Sequence, residues 1–216
     1  MTARLRDRQD RDESGITLVE VTLTMLILSI VLVMAFDFLD RTTNITVKTE
    51  THARTEDDTQ RVLRTVTQHI RGALPITGTC TTAGYATTYD NCIRFTVPRG
   101  VSGIGSCARS EFVIGLVGTG TEKKLMYDRR DFTGSTSCTA GPLSSQVLLL
   151  DRVVNTSLQP LFTYYASDGS QINTTSSAAS VPNAATVNVN VRVRYRMGSN
   201  PIVMTSSAAL RNNITR

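Results

Sequence analysis

An acidic side chain stands near the start of an apolar run long enough to cross a membrane. Gly15-Ile16-Thr17-Leu18-Val19-Glu20 opens a stretch that reaches Phe36, and Glu20 is the only charged residue from Ile16 onward within it. As a helix those residues would rise about 31 Å, against a hydrocarbon core of about 30 Å. An ionised side chain at mid-bilayer costs at least ~2.5–3.5 kcal/mol, less near the interface, so such residues usually have a partner. Glu20 can snorkel into the headgroups, or it can pair with a cation. A cut after Gly15 would supply one as the new amino group of Ile16. Within a single helix that amine is badly placed for Glu20, but the amine of an adjacent, axially staggered chain could reach it.

The remaining candidates for chemistry are sparse. Cys80, Cys92, Cys107 and Cys138 form an even set downstream of the apolar run, with no C-x-x-C spacing to suggest a redox or zinc site. Three pairings are open. The smaller loops favour Cys80–Cys92 with Cys107–Cys138, each bridge contributing typically ~2–4 kcal/mol. His52 and His69 are the two histidines, and no H-E-x-x-H, G-x-S-x-G or phosphate-binding loop accompanies them. Gly103-Ile104-Gly105 and Gly118-Thr119-Gly120 lack the third glycine of a dinucleotide fingerprint and read as turns. Asp168-Gly169-Ser170-Gln171-Ile172-Asn173 lacks the charge count and glycine placement of a calcium-binding EF-hand loop and also reads as a turn. Arg192, Arg194 and Arg196 alternate along one strand and form a candidate basic contact face. Nucleic-acid binding usually needs many more such contacts, so a solvated face or subunit contact is the expectation and nucleic acid is not an expected partner. No catalytic residue, metal or cofactor is expected.

These residues need elements to hold them. The 216-residue chain carries a net charge of +5, dispersed without a lysine-arginine run. From Ile16 to Arg71 there is neither glycine nor proline, as a long helix requires. Its second half is amphipathic, with Val62, Leu63, Val66, Ile70 and Leu74 at helical spacing, and Gly72 and Pro75 supply stop signals. Thr42 to Thr51 is rich in β-branched residues, where the helix is expected to loosen or break. Thr17, Glu20 and Thr24 share one face of the apolar half; their hydroxyls can bond across to another helix or back to their own backbone.

Beyond the helix, strands are expected over Ile93–Val97, Glu111–Val117, Lys124–Asp128, Gln146–Leu150, Leu161–Ala166, Thr186–Met197 and Ile202–Leu210. The clearest is Thr186–Met197, where Val187, Val189, Val191, Val193 and Tyr195 alternate with polar residues and define one buried face. It should pair with Ile202–Leu210 across Gly198-Ser199-Asn200-Pro201. Ser170–Ala185 reads as an exposed loop. The fold class is α+β, with the amphipathic half-helix laid across an antiparallel sheet. Four zones result: a leader at 1–15, an apolar helix at 16–36, its amphipathic continuation at 37–75 and a β-rich head at 76–216.

Gly15-Ile16-Thr17-Leu18-Val19-Glu20 followed by an apolar helix resembles the processing site of type IV prepilins and type II secretion pseudopilins. The resemblance implies that a prepilin peptidase cuts after Gly15, methylates the new N-terminus at Ile16, and leaves Glu20 as the assembly glutamate. The commonest family residue after the glycine is phenylalanine, so Ile16 departs from the pattern. Phe162 and Tyr164, the Asp168-Gly169 turn, the long alternating strand and Ala209-Leu210-Arg211-Asn212 together look like J-type minor pseudopilins and the related W-type minor pilins. Implied partners are the peptidase, other pilins or pseudopilins and the inner membrane. Arg4, Arg6, Arg8 and Arg11 favour a cytoplasmic N-terminus. The head then lies outside, on a cell-surface or periplasmic filament, in keeping with the cysteines. The alternative is a membrane-anchored extracytoplasmic binding protein, for example a surface component for DNA uptake.

Overall fold

The computed structural model describes residues 17–74, 76–78, 80, 84–98, 109–133, 138–143 and 146–210. Gly15, Ile16, Cys107 and the arginines of the leader lie outside the described residues, as do Pro75, Arg211 and Asn212. The chain divides into two compact units, with the boundary between Glu50 and Thr51. A single helix, α1 (Leu18–Arg71), runs through that boundary.

In the first unit α1 is exposed on all sides, and an 18-residue window of mean hydropathy 2.5 has none of its residues buried. The threonine-rich stretch does not break it. Thr42, Thr43, Thr46 and Thr49 donate their hydroxyls to the carbonyls of Phe38, Leu39, Thr42 and Ile45 at 2.8–3.0 Å. The side chain thereby satisfies itself on the helix it might otherwise compete with, and the propensity cost of a few tenths of a kcal/mol per threonine is too small to open the turn. Arg41 pairs with Asp37 at 2.9 Å one turn away, a further local support.

In the second unit the C-terminal part of α1 buries Thr59, Leu63, Val66, Thr67 and Ile70, an i, i+4, i+7, i+8, i+11 stripe. Thr59 and Thr67 extend the expected apolar face because each hydroxyl is matched internally, to Thr55 O at 2.6 Å and Leu63 O at 2.7 Å. The helix ends at Arg71; Gly72 and Ala73 turn the chain, with Ala73 N–H donating to Ile70 O at 3.0 Å.

The stripe lies on one face of an antiparallel sheet. Its strands are β1 (Ile76–Gly78), β2 (Cys92–Pro98), β3 (Arg109–Val117), β4 (Lys123–Thr133), β5 (Thr139–Leu143), β6 (Val147–Val153), β7 (Phe162–Tyr165), β8 (Gln171–Ile172), β9 (Thr186–Val193) and β10 (Ile202–Ala209). The spatial order is β1-β2-β3-β4-β6-β9-β7-β8, with β5 beside β4 and β10 beside β9. Ile93, Phe95, Phe112, Ile114, Leu125 and the four valines of β9 join Leu63, Val66 and Ile70 in one core. Aromatic rings knit helix to sheet: His69 stacks on Phe112 at 4.7 Å, and Phe112 on Phe95 at 5.6 Å.

Two further expectations need correction, and two short strands were not expected at all. Thr186–Met197 stops as a strand at Val193, because β10 enters opposite Val193 at Ile202 and the chain between must turn through Gly198. The stretch Ser170–Ala185 is not an exposed loop: it contains β8 and a 3₁₀ turn at Ala178–Asn183, and Ile172, Val181 and Ala184 seal the core. Short β1 and β5 carry too few residues, three and five, for a readable period, and β5 contains Pro142, at home only on a strand with a free edge.

Candidate processing and assembly site

Thr17 decides where α1 begins. Its carbonyl accepts from Glu20 N–H at 3.0 Å and Val21 N–H at 3.3 Å, and its hydroxyl oxygen accepts from Glu20 N–H at 3.3 Å. This is the N-cap half of a capping box, with Thr17 at the cap and Glu20 three residues on. The Thr-x-x-Glu spacing carried that signal, and the sequence reading missed it. Glu20 therefore sits in the first turn of the helix, where aligned peptide dipoles favour an anion by about 0.3–1 kcal/mol at an exposed site. Among the described residues no cation meets its carboxylate. Thr22, Thr24 and Ser29 bond back to Val19 O, Val21 O and Leu26 O at 2.7–2.9 Å, so the hydroxyls on this half of the helix serve their own backbone.

In the second unit the cysteines pin the outer side of the sheet. Cys80 and Cys92 form a disulfide with a Cα–Cα distance of 5.9 Å, both buried. Cys138 is also disulfide-bonded, and its expected partner Cys107 lies outside the described residues. Around the Cys80–Cys92 bridge Tyr85, Val113 and Met126 form a second small core. Tyr85 donates its phenol to Asp128 Oδ2 at 3.0 Å. Burial raises the titration of both groups, and for Asp128 the bonds from Tyr85 and Gln146 work against that rise. Nearby, Glu111 lies between Arg94 at 3.4 Å and Arg130 at 3.7 Å.

The candidate basic face does not form a row. Arg192 lies within β9, whereas Arg194 and Arg196 follow its end. Arg194 faces Glu122 at 4.0 Å, and Arg196 is exposed in the turn that Ser199 closes onto its carbonyl. Tyr195 meets His52 edge-on at 5.1 Å instead of continuing the buried valine face. Asp168 forms a plain turn, accepting from Ser170 N–H at 2.9 Å and Ser170 Oγ at 2.6 Å; these bonds lower its titration. No cluster suited to a metal occurs among the described residues.

Sequence reasoning overlooked Asn155. It is 2 % exposed and lies where β6 gives way to β7 along one edge of β9. Its Nδ2 donates to Asn190 O at 2.7 Å and Gln159 O at 3.1 Å, while Oδ1 accepts from Arg192 N–H at 3.0 Å. The amide thus stands in for a missing strand residue. No motif announces such a side chain; only the register of three strands creates its role.

A comparison with curated protein sequences returns no match. A family model does match at the N-terminus, over residues 10–36, which include Gly15, Ile16, Glu20 and the apolar run to Phe36. Residues 10–36 thus carry a prokaryotic N-terminal methylation motif, and in this chain the motif leads into an exposed apolar helix and a disulfide-bonded β head.

Proposed function

We propose that this chain is a minor pilin or pseudopilin, a structural subunit of a type IV pilus or type II secretion pseudopilus. Prepilin peptidase cuts after Gly15 and methylates Ile16, and the apolar half of α1 holds the subunit in the inner membrane until it joins the filament. The observation that carries this reading is the position of Glu20 in the methylation motif, at the capped start of a helix whose apolar 18-residue window has no buried residue. The helix dipole returns about 0.3–1 kcal/mol to the carboxylate, while a charge within hydrocarbon costs ~2.5–3.5 kcal/mol. The shortfall favours an external cation, and the freed Ile16 amine of a staggered neighbour is the one the processing reaction makes. Such contacts are head-to-tail and do not close, so they build a helical filament.

The head faces outward, where its disulfides persist. It acts as a structural module and not as an enzyme. The nucleic-acid alternative draws little support from arginines that are split between a strand, an ion pair and a turn.

Intact-mass and N-terminal analysis of the protein from cells that possess the peptidase tests this reading. The mature chain should begin at Ile16 and carry one additional methyl group on its amine. An intact leader in those cells would overturn it.

A further inference from the structure

Strand β10 forms one flank of the sheet, and its register with β9 turns the backbone groups of every second residue away from β9. On β9 the even-numbered residues direct their polar groups toward β6 and β7: Val154 N–H donates to Arg192 O at 2.8 Å, Arg194 N–H to Arg152 O at 3.1 Å, and Asn190 N–H to Leu161 O at 2.8 Å. The odd residues of β9 therefore face β10. They pair Val193 with Ile202, Val191 with Met204, Val189 with Ser206 and Val187 with Ala208. By the alternation of an antiparallel ladder, the amides and carbonyls of Val203, Thr205 and Ser207 point away from the sheet. Arg71 Nη2 reaches Ser207 O at 3.4 Å. Among the described residues nothing pairs with the backbone of Val203 or Thr205 beyond β10.

Native sheets guard such edges with lysine, proline, inward charges, bulges or a covering element. Ile202–Ala209 has none of these guards within the strand: it carries no charge and no proline, its register with β9 is unbroken, and Val203 is 48 % exposed. Along it runs a groove of about 480 Å³, walled on the helix side by Glu56, Gln60, Leu63 and Arg64.

We propose that the β10 edge and this groove receive an extended segment of a different pilin-like subunit, which adds to the sheet as a further strand. Outward backbone groups recurring every second residue, about 7 Å apart, are matched by extended polypeptide and by no helix, whose own groups are already paired. The helix wall sets the side chains. Arg64, with Arg71 at the Ser207 end, complements a carboxylate on the incoming strand, and Glu56 complements a cation further along it. A second copy of β10 has no charged residue to offer those positions, so the fit is to a different subunit. The proposal rests on the assembly reading for the donor's identity; the capacity of the edge to accept a strand follows from the register.

The test uses the full chain in its own cells, with a benzoylphenylalanine photocrosslinker at Val203 and, as a control on a separate turn, at Leu158. Illumination at Val203 should yield an adduct to another protein that carries the N-terminal methylation motif, mapped to an extended segment of it. Thr205→Pro should lower that adduct at least about tenfold, since proline removes an outward donor and no bond to β9. Thr205→Lys, a natural edge guard, should act alike, and both variants should keep the wild-type melting temperature within a few degrees. An undiminished adduct in both variants overturns the proposal. So does an adduct only to a second copy of this chain. If pilin-like subunits co-isolate with the wild type but none is captured at Val203, the edge proposal alone fails. If none co-isolates, the assembly reading fails with it.

Discussion

Replacing Asn155 by leucine keeps the branching and heavy-atom count of the side chain and removes three hydrogen bonds where β6 and β9 are joined by a single residue pair. Strands β6 and β9 share one directly paired residue couple, Val153 with Val193, and the Asn155 amide bridges the next positions to Asn190 and Arg192. Leucine leaves Arg192 N–H, Asn190 O and Gln159 O without that partner. A buried group stripped of its bond costs about 1–3 kcal/mol. Because these bonds are part-buried, water can serve some of the orphans, and the expected loss is about 2–4 kcal/mol. For a head of this size each kcal/mol shifts the melting temperature by about 2–4 °C, which gives a drop of about 5–15 °C. The measurement is thermal unfolding of the full chain in detergent, followed by near-ultraviolet circular dichroism of the head tyrosines. Amide exchange adds a local readout: the Arg192 and Arg194 amides should lose protection before those of β2 and β3. A loss below about 1 kcal/mol, or uniform loss of protection, would refute the view that this amide joins the two parts of the sheet.

Three further outcomes are expected. Gly115 lies in β3 directly under Cys92, where an added Cβ would approach the Cys92 Cβ to 2.7 Å; Gly115→Ala should cost about 1–3 kcal/mol by overpacking, read from a denaturant midpoint shifted at unchanged slope. Burial and then the Arg129 charge lower the titration of His69, which stacks between α1 and Phe112. A folded value below the unfolded 6.5 means the unfolded chain binds the proton more readily, so this stability is present above that pH and lost as pH falls through the folded value. His69→Phe keeps the stack and should flatten the acid limb of a stability-against-pH curve, whereas an unchanged limb would remove His69 from that role. Glu20→Ala should leave cleavage after Gly15 intact yet strongly impair recovery with other subunits; normal co-assembly would deny Glu20 its part.

How far the sequence could be read varied with the range of the interaction. Helix α1 and its buried stripe of Leu63, Val66 and Ile70 were legible because both depend on period and on the absence of glycine and proline. The β9–β10 hairpin was legible for the same reason, in a period of two around a turn rich in Gly198 and Pro201. The end of β9 at Val193 was not, since alternation runs on to Met197 and only the partner strand's starting point stops it. Nor was the burial of Val181 and Ala184, which sit in a serine- and alanine-rich stretch that looks solvent-bound until the core above it is counted. The threonine-rich segment misled in the other direction: its side chains favour strands in isolation but stay helical by bonding their own carbonyls.

What the sequence determined by itself was the N-terminal motif. Gly15, Ile16, Glu20 and an apolar run of membrane length are local in the chain, and a local motif is complete before anything folds. The tertiary structure alone decided how the head is held and what it leaves open. Cys92 comes to lie over Gly115, Asn155 replaces a strand residue between Asn190 and Arg192, and the outward amides of Val203 and Thr205 find no partner among the described residues. Each of these depends on which strands become neighbours and in which register. That is a property of long-range pairing, which no window of sequence contains.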